Sequence, residues 1–264
     1  MSDLADRLRT GPPWAVHTER DLTYFRVGAD EIVVIACDSD GGLGPKPNDA
    51  VPVEGPTLGR FAARVPLLEI VAAGATPVVV VDTLTVERDP TGQPIIDGVL
   101  AEAADAGVPS EAVTGSTEDN VPTVATGIGV TVVARATFET LRVGVGRPPF
   151  EVVLFGRPMS APADIFGPDH PDILTVPALA AVLAFDGVVE ALPIGSSGVS
   201  NEFVAMARTA GGTPEMNDDW PCDRDQSGGP STAALLAVTP DRLAEVLHRL
   251  TDTGRPAWHL GRVV

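Results

Sequence analysis

V-V-I-A-C-D-S-D-G-G-L-G-P-K-P-N-D, residues 33–49, joins an apolar β-branched run to a cluster of acids, glycines and one lysine. The run from Ile32 to Ile35 reads as a buried strand. Asp38 and Asp40 follow it, then Gly41, Gly42 and Gly44, then Lys46 and Asp49 between stiffening prolines. Carboxylates at a strand end are hard oxygen ligands of the kind Mg²⁺ takes. Glycines let backbone N–H groups approach a polyphosphate, and a lysine adds a compact positive charge beside it. The spacing is not that of the Walker loop, G-x-x-x-x-G-K-[ST]. By composition alone, an acidic, glycine-rich surface turn accounts for the stretch equally well.

Working outward, residues 22–27 and 31–36 read as a hairpin turned at Gly28-Ala29-Asp30, preceded over 1–21 by a short helix and a proline-broken arm. Downstream, 59–73 has helical periodicity ending at Gly74, with Pro66 either starting or bending the helix. A strand at 77–81, a helix at 95–106, a polar run at 114–120 and a strand at 127–136 complete an α/β or α+β first half. The glycine-rich segment 142–147, leading into Pro148-Pro149, marks a boundary between domains 1–147 and 148–264. The second half reads as strands at 152–155, 188–193 and 233–238, with helices at 177–184, 200–209 and 240–250. In the last of these, Leu243, Val246, Leu247 and Leu250 form a core-facing stripe.

Charge narrows the partners. With 36 acidic against 18 basic residues the net charge is −18, unfavourable for nucleic acid or an anionic membrane. The N-terminus has no apolar signal core and no stretch approaches a membrane span, so a cytoplasmic location is expected. Two cysteines make no disulfide framework, and Cys37, inside the apolar run, reads as a small buried hydrophobe. The four histidines lack metal-ligand spacing.

Two further polar clusters stand out. In P-L-L-E-I-V-A-A-G-A-T-P, residues 66–77, Glu69 is the one acid of an apolar helix, and a buried unpaired charge is costly unless it serves a site. G-S-T-E-D-N-V-P, residues 115–122, supplies hydroxyls, acids and an amide; an ordinary Asp/Asn turn is its plain alternative.

Taken together, these segments resemble the aminoimidazole ribonucleotide synthetase (PurM-like) superfamily, which includes thiamine-monophosphate kinase, selenophosphate synthetase and a hydrogenase-maturation dehydratase. Glu69 stands five residues before Gly74, where that family's A-M-G-A-x-P helix carries an acid. Thr114-Gly115-Ser116-Thr117 matches its G-G-[DE]-T motif with Ser116 in place of the acid. Ser196-Ser197-Gly198-Val199 matches S-D-G-L, again without the acid, and 227–232, S-G-G-P-S-T, is similar to its late glycine-rich element. The form of residues 37–49 with 115–122 is closest to the α-ribazole kinase branch.

The resemblance implies an α+β, two-domain architecture: an N-terminal sheet domain forming a dimeric barrel with a second copy, and a smaller C-terminal α/β domain. It implies ATP and Mg²⁺, a small-molecule acceptor with a nucleoside-like hydroxyl, and a homodimer. On that basis Asp38, Asp40, Glu69 and Glu118 are the expected Mg²⁺ ligands. Gly41, Gly42, Gly44, Ser116, Thr117 and Asn120 are expected to hold the nucleotide. Lys46 would meet the β/γ-phosphates, and Asp49 would orient or deprotonate the acceptor. The rival readings are an ATP-dependent synthetase of the same superfamily and a catalytically silent nucleotide-binding module.

Overall fold

Residues 127–136 alternate between buried and half-exposed along their whole length, the period-2 pattern of a strand covered on one face. This strand lies inside the first of two large sheets, beside which a third, two-stranded parallel sheet pairs residues 43–44 with 51–52. The structure is a computed structural model that describes residues 4–264, so the first three residues of the expected N-terminal helix lie outside it. In chain order the first half contains α1 (Leu4–Thr10), β1 (His17–Glu19), β2 (Leu22–Arg26), β3 (Ile32–Gly41), β4 (Leu43–Gly44), β5 (Val51–Pro52), α2 (Gly55–Ala72), β6 (Thr76–Leu84), α3 (Gln93–Asp105), β7 (Val113–Ser116) and β8 (Gly127–Ala136). The second half contains β9 (Phe150–Gly156), α4 (Val176–Leu183), β10 (Val188–Pro193), α5 (Val199–Ala210), β11 (Pro214–Met216), β12 (Ala233–Val238), α6 (Leu243–Asp252) and β13 (Ala257–Val263).

Six strands of the first half form a sheet in the order β1-β2-β3-β8-β6-β7, antiparallel except for the β6–β7 pair at its edge. Five strands of the second half form an antiparallel sheet in the order β10-β12-β9-β13-β11. All strands of the first sheet precede residue 137 and all of the second follow residue 149. The mixed α/β architecture agrees with the expected fold class.

Helix α2 links the two layers. It lies on the first sheet beside α3, and its far side meets α4 and β10. One apolar core therefore runs from Val34 and Leu67 through Leu179 to Leu236. The helix begins at Gly55, earlier than the periodicity suggested, because Pro56 suits a first helical turn. Gly59 is a crossing point: a Cβ there would fall 1.9 Å from the Ile95 carbonyl oxygen of α3. Pro66 lies inside the helix without ending it, held by packing on both sides that outweighs the lost backbone bond. Between these helices and the loop beyond β9, buried Arg64 donates to Glu102 at 2.6 and 2.9 Å and to the Pro168 carbonyl at 2.9 Å.

Three local expectations change. Strand β3 does not stop before the acids; it pairs with β8 through Asp38, Ser39 and Asp40 to Gly41. The polar run after residue 113 opens with an edge strand, β7. Cys37 is exposed, because strand alternation turns it to the face opposite buried Ala36. Among the described residues no helix covers that opposite face of the first sheet, which carries half-exposed Phe25, Val33, Ile35, Val79, Val81 and Val133. Among the described residues no helix is long and apolar enough to cross a membrane.

Candidate active site

Alternation along β3 puts Asp38 and Asp40 on the same face as Val34 and Ala36, past the end of the packed core. On α2, Thr57, Phe61, Val65 and Glu69 recur every fourth residue and so share one face. Both faces open into a cleft of about 1200 Å³ between the two halves of the chain. Its far wall comes from residues 160–166, from Gly195 and Ser196, from Glu202 on α5, and from 227–231, a stretch of glycine, proline and serine.

The cleft is short of positive charge. Burial, reinforced by Asp38, Asp21 and Glu202, pushes Glu69 up to about 8. Burial and then Asp38 raise Asp40 to about 6. Asp38 itself is raised by burial, and Glu202 by burial and Asp21. Arg20, which lines the same cleft, is turned to Glu190 in a buried ion pair. Carboxylates crowded together under burial, with few donors to offset it, bind protons or metal ions in compensation.

A Mg²⁺ ion fits this donor set. As they stand, no three Asp, Glu, His or Cys side chains among the described residues surround a common point closely enough to hold a metal alone. Mg²⁺ seldom needs such a cage, since it takes one or two carboxylates and completes its shell with phosphate oxygens and water. Any one or two of Asp38, Asp40 and Glu69 meet that need for hard oxygen ligands.

The other expected residues gather at the end of the first sheet, in the loops after β3, β6 and β7. Lys46 Nζ is 2.5 Å from Glu87 Oε2, and the Glu87 pKa is held down to about 2 by Lys46 first and Thr91 second. Asp49 accepts from the Lys46 backbone N–H at 2.8 Å and from the Thr126 N–H and hydroxyl at 2.7 Å each. Burial alone would raise the Asp49 pKa, but these bonds outweigh it and keep the carboxylate ionised. Gly44, at φ +147°, passes so close to Thr126 that a Cβ would lie 2.5 Å from its hydroxyl. Gly42 donates its N–H to the Thr126 carbonyl, while Gly41 has open space around it.

The third cluster is a neighbour of this loop rather than of the acids. Asn48 N–H bonds the Val124 carbonyl, and Glu118 N–H bonds the Val86 carbonyl. The Glu118 carboxylate closes its own turn, accepting from Asn120 and Val121 at 2.7 and 3.1 Å, and it does not line the cleft. Ser116 and Thr117 border a separate cavity, and Asn120 is exposed. The structure thus brings Asp38, Asp40 and Glu69 together, and Lys46 and Asp49 with residues 118–126, as two adjoining groups.

Several cleft residues carry little signal in the sequence. Asp21 is an ordinary turn residue. Glu202 could have been found as an acid in the first turn of a helix that follows G-S-S-G, residues 195–198. Glu87 shows itself only through the ion pair with Lys46.

No family model and no curated relative matches the sequence. Solved structures do. The fold is similar to thiamine-monophosphate kinase from Stenotrophomonas maltophilia K279a, at 13 % identity and a TM-score of 0.63, covering 100 % of this chain and 94 % of that one. It is similar to Escherichia coli HypE, a hydrogenase maturation protein, at 15 % identity and a TM-score of 0.65, covering 87 % and 79 %. It is also similar to Thermotoga maritima PurL complexed with ADP, at 16 % identity and a TM-score of 0.67; 96 % of this chain is covered but only 43 % of PurL. Identities this low establish a shared fold and nothing finer.

Proposed function

We propose that the protein is an ATP-dependent enzyme that transfers the γ-phosphoryl group to a hydroxyl of a small, nucleoside-like acceptor, with α-ribazole the first candidate from the motif resemblance. The observation that carries the reading is the cluster of half-buried acids, Asp38, Asp40 and Glu69, in a cleft large enough for two substrates. Phosphoryl transfer asks a protein for positioning and charge neutralisation more than for covalent chemistry. When bound there, Mg²⁺ would neutralise charge on the phosphate oxygens. Asp38 and Asp40 would hold it from β3 and Glu69 from α2. Lys46, released from Glu87, would meet the terminal phosphates, with Asp49 fixing its loop. The serines and glycines of 195–196 and 227–231 face these acids and would hold the acceptor. The loop 116–120 is assigned to the nucleotide.

The direct test is incubation with Mg-ATP and a panel of nucleosides and small alcohols, following ADP and the phosphorylated product. A phosphorylated alcohol supports the kinase. Free phosphate with a new C–N bond moves the assignment to an ATP-dependent synthetase. ATP that binds without turnover on any acceptor leaves a silent binding module. Lys46→Ala should lower kcat by about 10²-fold, as loss of one electrostatic contact to developing charge does; undiminished turnover refutes the assignment.

The domain boundary proposed at 147/148 falls between the two sheets, and we assign nucleotide and metal binding chiefly to the first. We also propose that the helix-free face of the first sheet pairs with a second copy, since an apolar sheet face of this extent is rarely left in water. Light scattering should give a dimer, and Ile35→Glu should give a monomer; a monomeric parent protein removes the proposal.

A further inference from the structure

Away from the cleft, the edge of the first sheet holds a second cavity of about 530 Å³. Its lining includes an acid, Asp82, to which no side chain or backbone group of the described residues is seen to donate. Asp82 stands on β6 in register with Gly115 of β7 and is 3 % exposed. Among the described residues, burial raises its pKa and only the charge of Arg88 opposes this; no hydrogen bond offsets it. A carboxylate almost covered by protein yet open to a cavity is placed to accept from a donor brought by a ligand. The backbone is shaped around it: a Cβ on Gly115 would fall 2.0 Å from Asp82 Oδ1.

Asp82 lines the cavity together with Arg88, Gln93, apolar Ile96 and Leu100 of α3 and the hydroxyl residues Thr114 and Ser116 of β7. Strand β7 is the edge of its sheet, so backbone groups along its outer side are unpaired by any strand. An apolar floor, a hydrogen-bonding rim and an acceptor-only carboxylate suit a flat heterocycle bearing an amino group. Rings of that kind are what a purine nucleotide brings.

We propose that this cavity binds the purine base of the nucleotide substrate, with Asp82 accepting a hydrogen bond from the base's amino edge. The inference rests on the nucleotide-dependent reading above and adds a base-recognition site that lies apart from the acid cluster. Asp82 and Asp38 share a face and stand in one row through Val130. Two strand spacings put them roughly 10 Å apart, a span that ribose and phosphates bridge.

Calorimetric titration of the whole protein with ADP and with GDP, both with Mg²⁺, tests this; the two nucleotides tell which purine is read. Asp82→Ala should weaken binding of the preferred nucleotide by about 10-fold or more, the usual loss for a hydrogen bond to a charged group. The same substitution should leave the ligand-free melting temperature unchanged or raised, since an unpaired buried charge has gone. Asp82→Asn, which keeps the shape, should weaken binding less and secures the measurement if the alanine variant folds poorly. Unchanged affinity for both nucleotides in both variants overturns the base site, as does a lowered melting temperature in Asp82→Asn. If the parent protein binds neither nucleotide, the phosphotransfer reading falls too. If it binds and turns over ATP while Asp82 variants bind normally, only the base site falls.

Discussion

Asp38→Asn should remove nearly all ATP-dependent turnover, by about 10³-fold in kcat, while making the ligand-free protein no less stable. Loss of a single preorganised electrostatic contact costs 10²–10³-fold in characterised enzymes, and Asp38 is central to its cluster. It is the carboxylate that, after burial, raises both Asp40 and Glu69. Asparagine keeps the shape and removes the charge, so mutual repulsion among the acids is relieved as the metal site is weakened. Opposite signs for activity and stability are expected of a site held together for function at the expense of folding. Steady-state ADP release and thermal melting check the pair of outcomes; full activity in Asp38→Asn would sink the metal assignment. Chelation of Mg²⁺ should abolish turnover in the parent protein.

The second large effect concerns stability. Glu190→Ala should lower stability by about 3–5 kcal/mol, the range for stripping one partner from a buried ion pair. Glu190 lies fully buried on β10 and ties three segments together. It accepts from the Gly144 N–H at 3.0 Å and the Gly146 N–H at 2.9 Å, and it pairs with Arg20 of the β1–β2 turn. Alanine would leave Arg20 charged and buried and release two backbone donors of the linker between the sheets. For a chain of this size the melting temperature should fall by roughly 10 °C. Glu190→Gln, which keeps one acceptor, should fall less. Equal melting of Glu190→Ala and the parent would show that the two halves do not depend on this clasp.

Legibility in the sequence followed the range of the physics involved. Helix and strand periodicity and the glycine stop at Gly74 are local, and the strands at 127–136, 188–193 and 233–238 stand where alternation or apolar runs placed them. The length of β3 was not local: Asp38 to Gly41 are strand only because β8 supplies a pairing partner. The same is true of β7, whose polar residues read as a turn until β6 is beside them. Strand β13 has no strong apolar run of its own and exists by pairing with β9.

For the site, the sequence by itself determined the chemistry on offer: oxygen ligands on a strand and a helix, a stiff lysine loop, and an excess of acid over base. Residue types and backbone periods are enough for that. Only the tertiary structure decided who meets whom. Crossing of α2 over the first sheet puts Glu69 with Asp38 and Asp40, whereas three strand spacings and a self-closed turn keep Glu118 apart. Register between β6 and β7 buries Asp82 against a bare glycine. Such contacts depend on distances between residues far apart in the chain, and no local pattern encodes them.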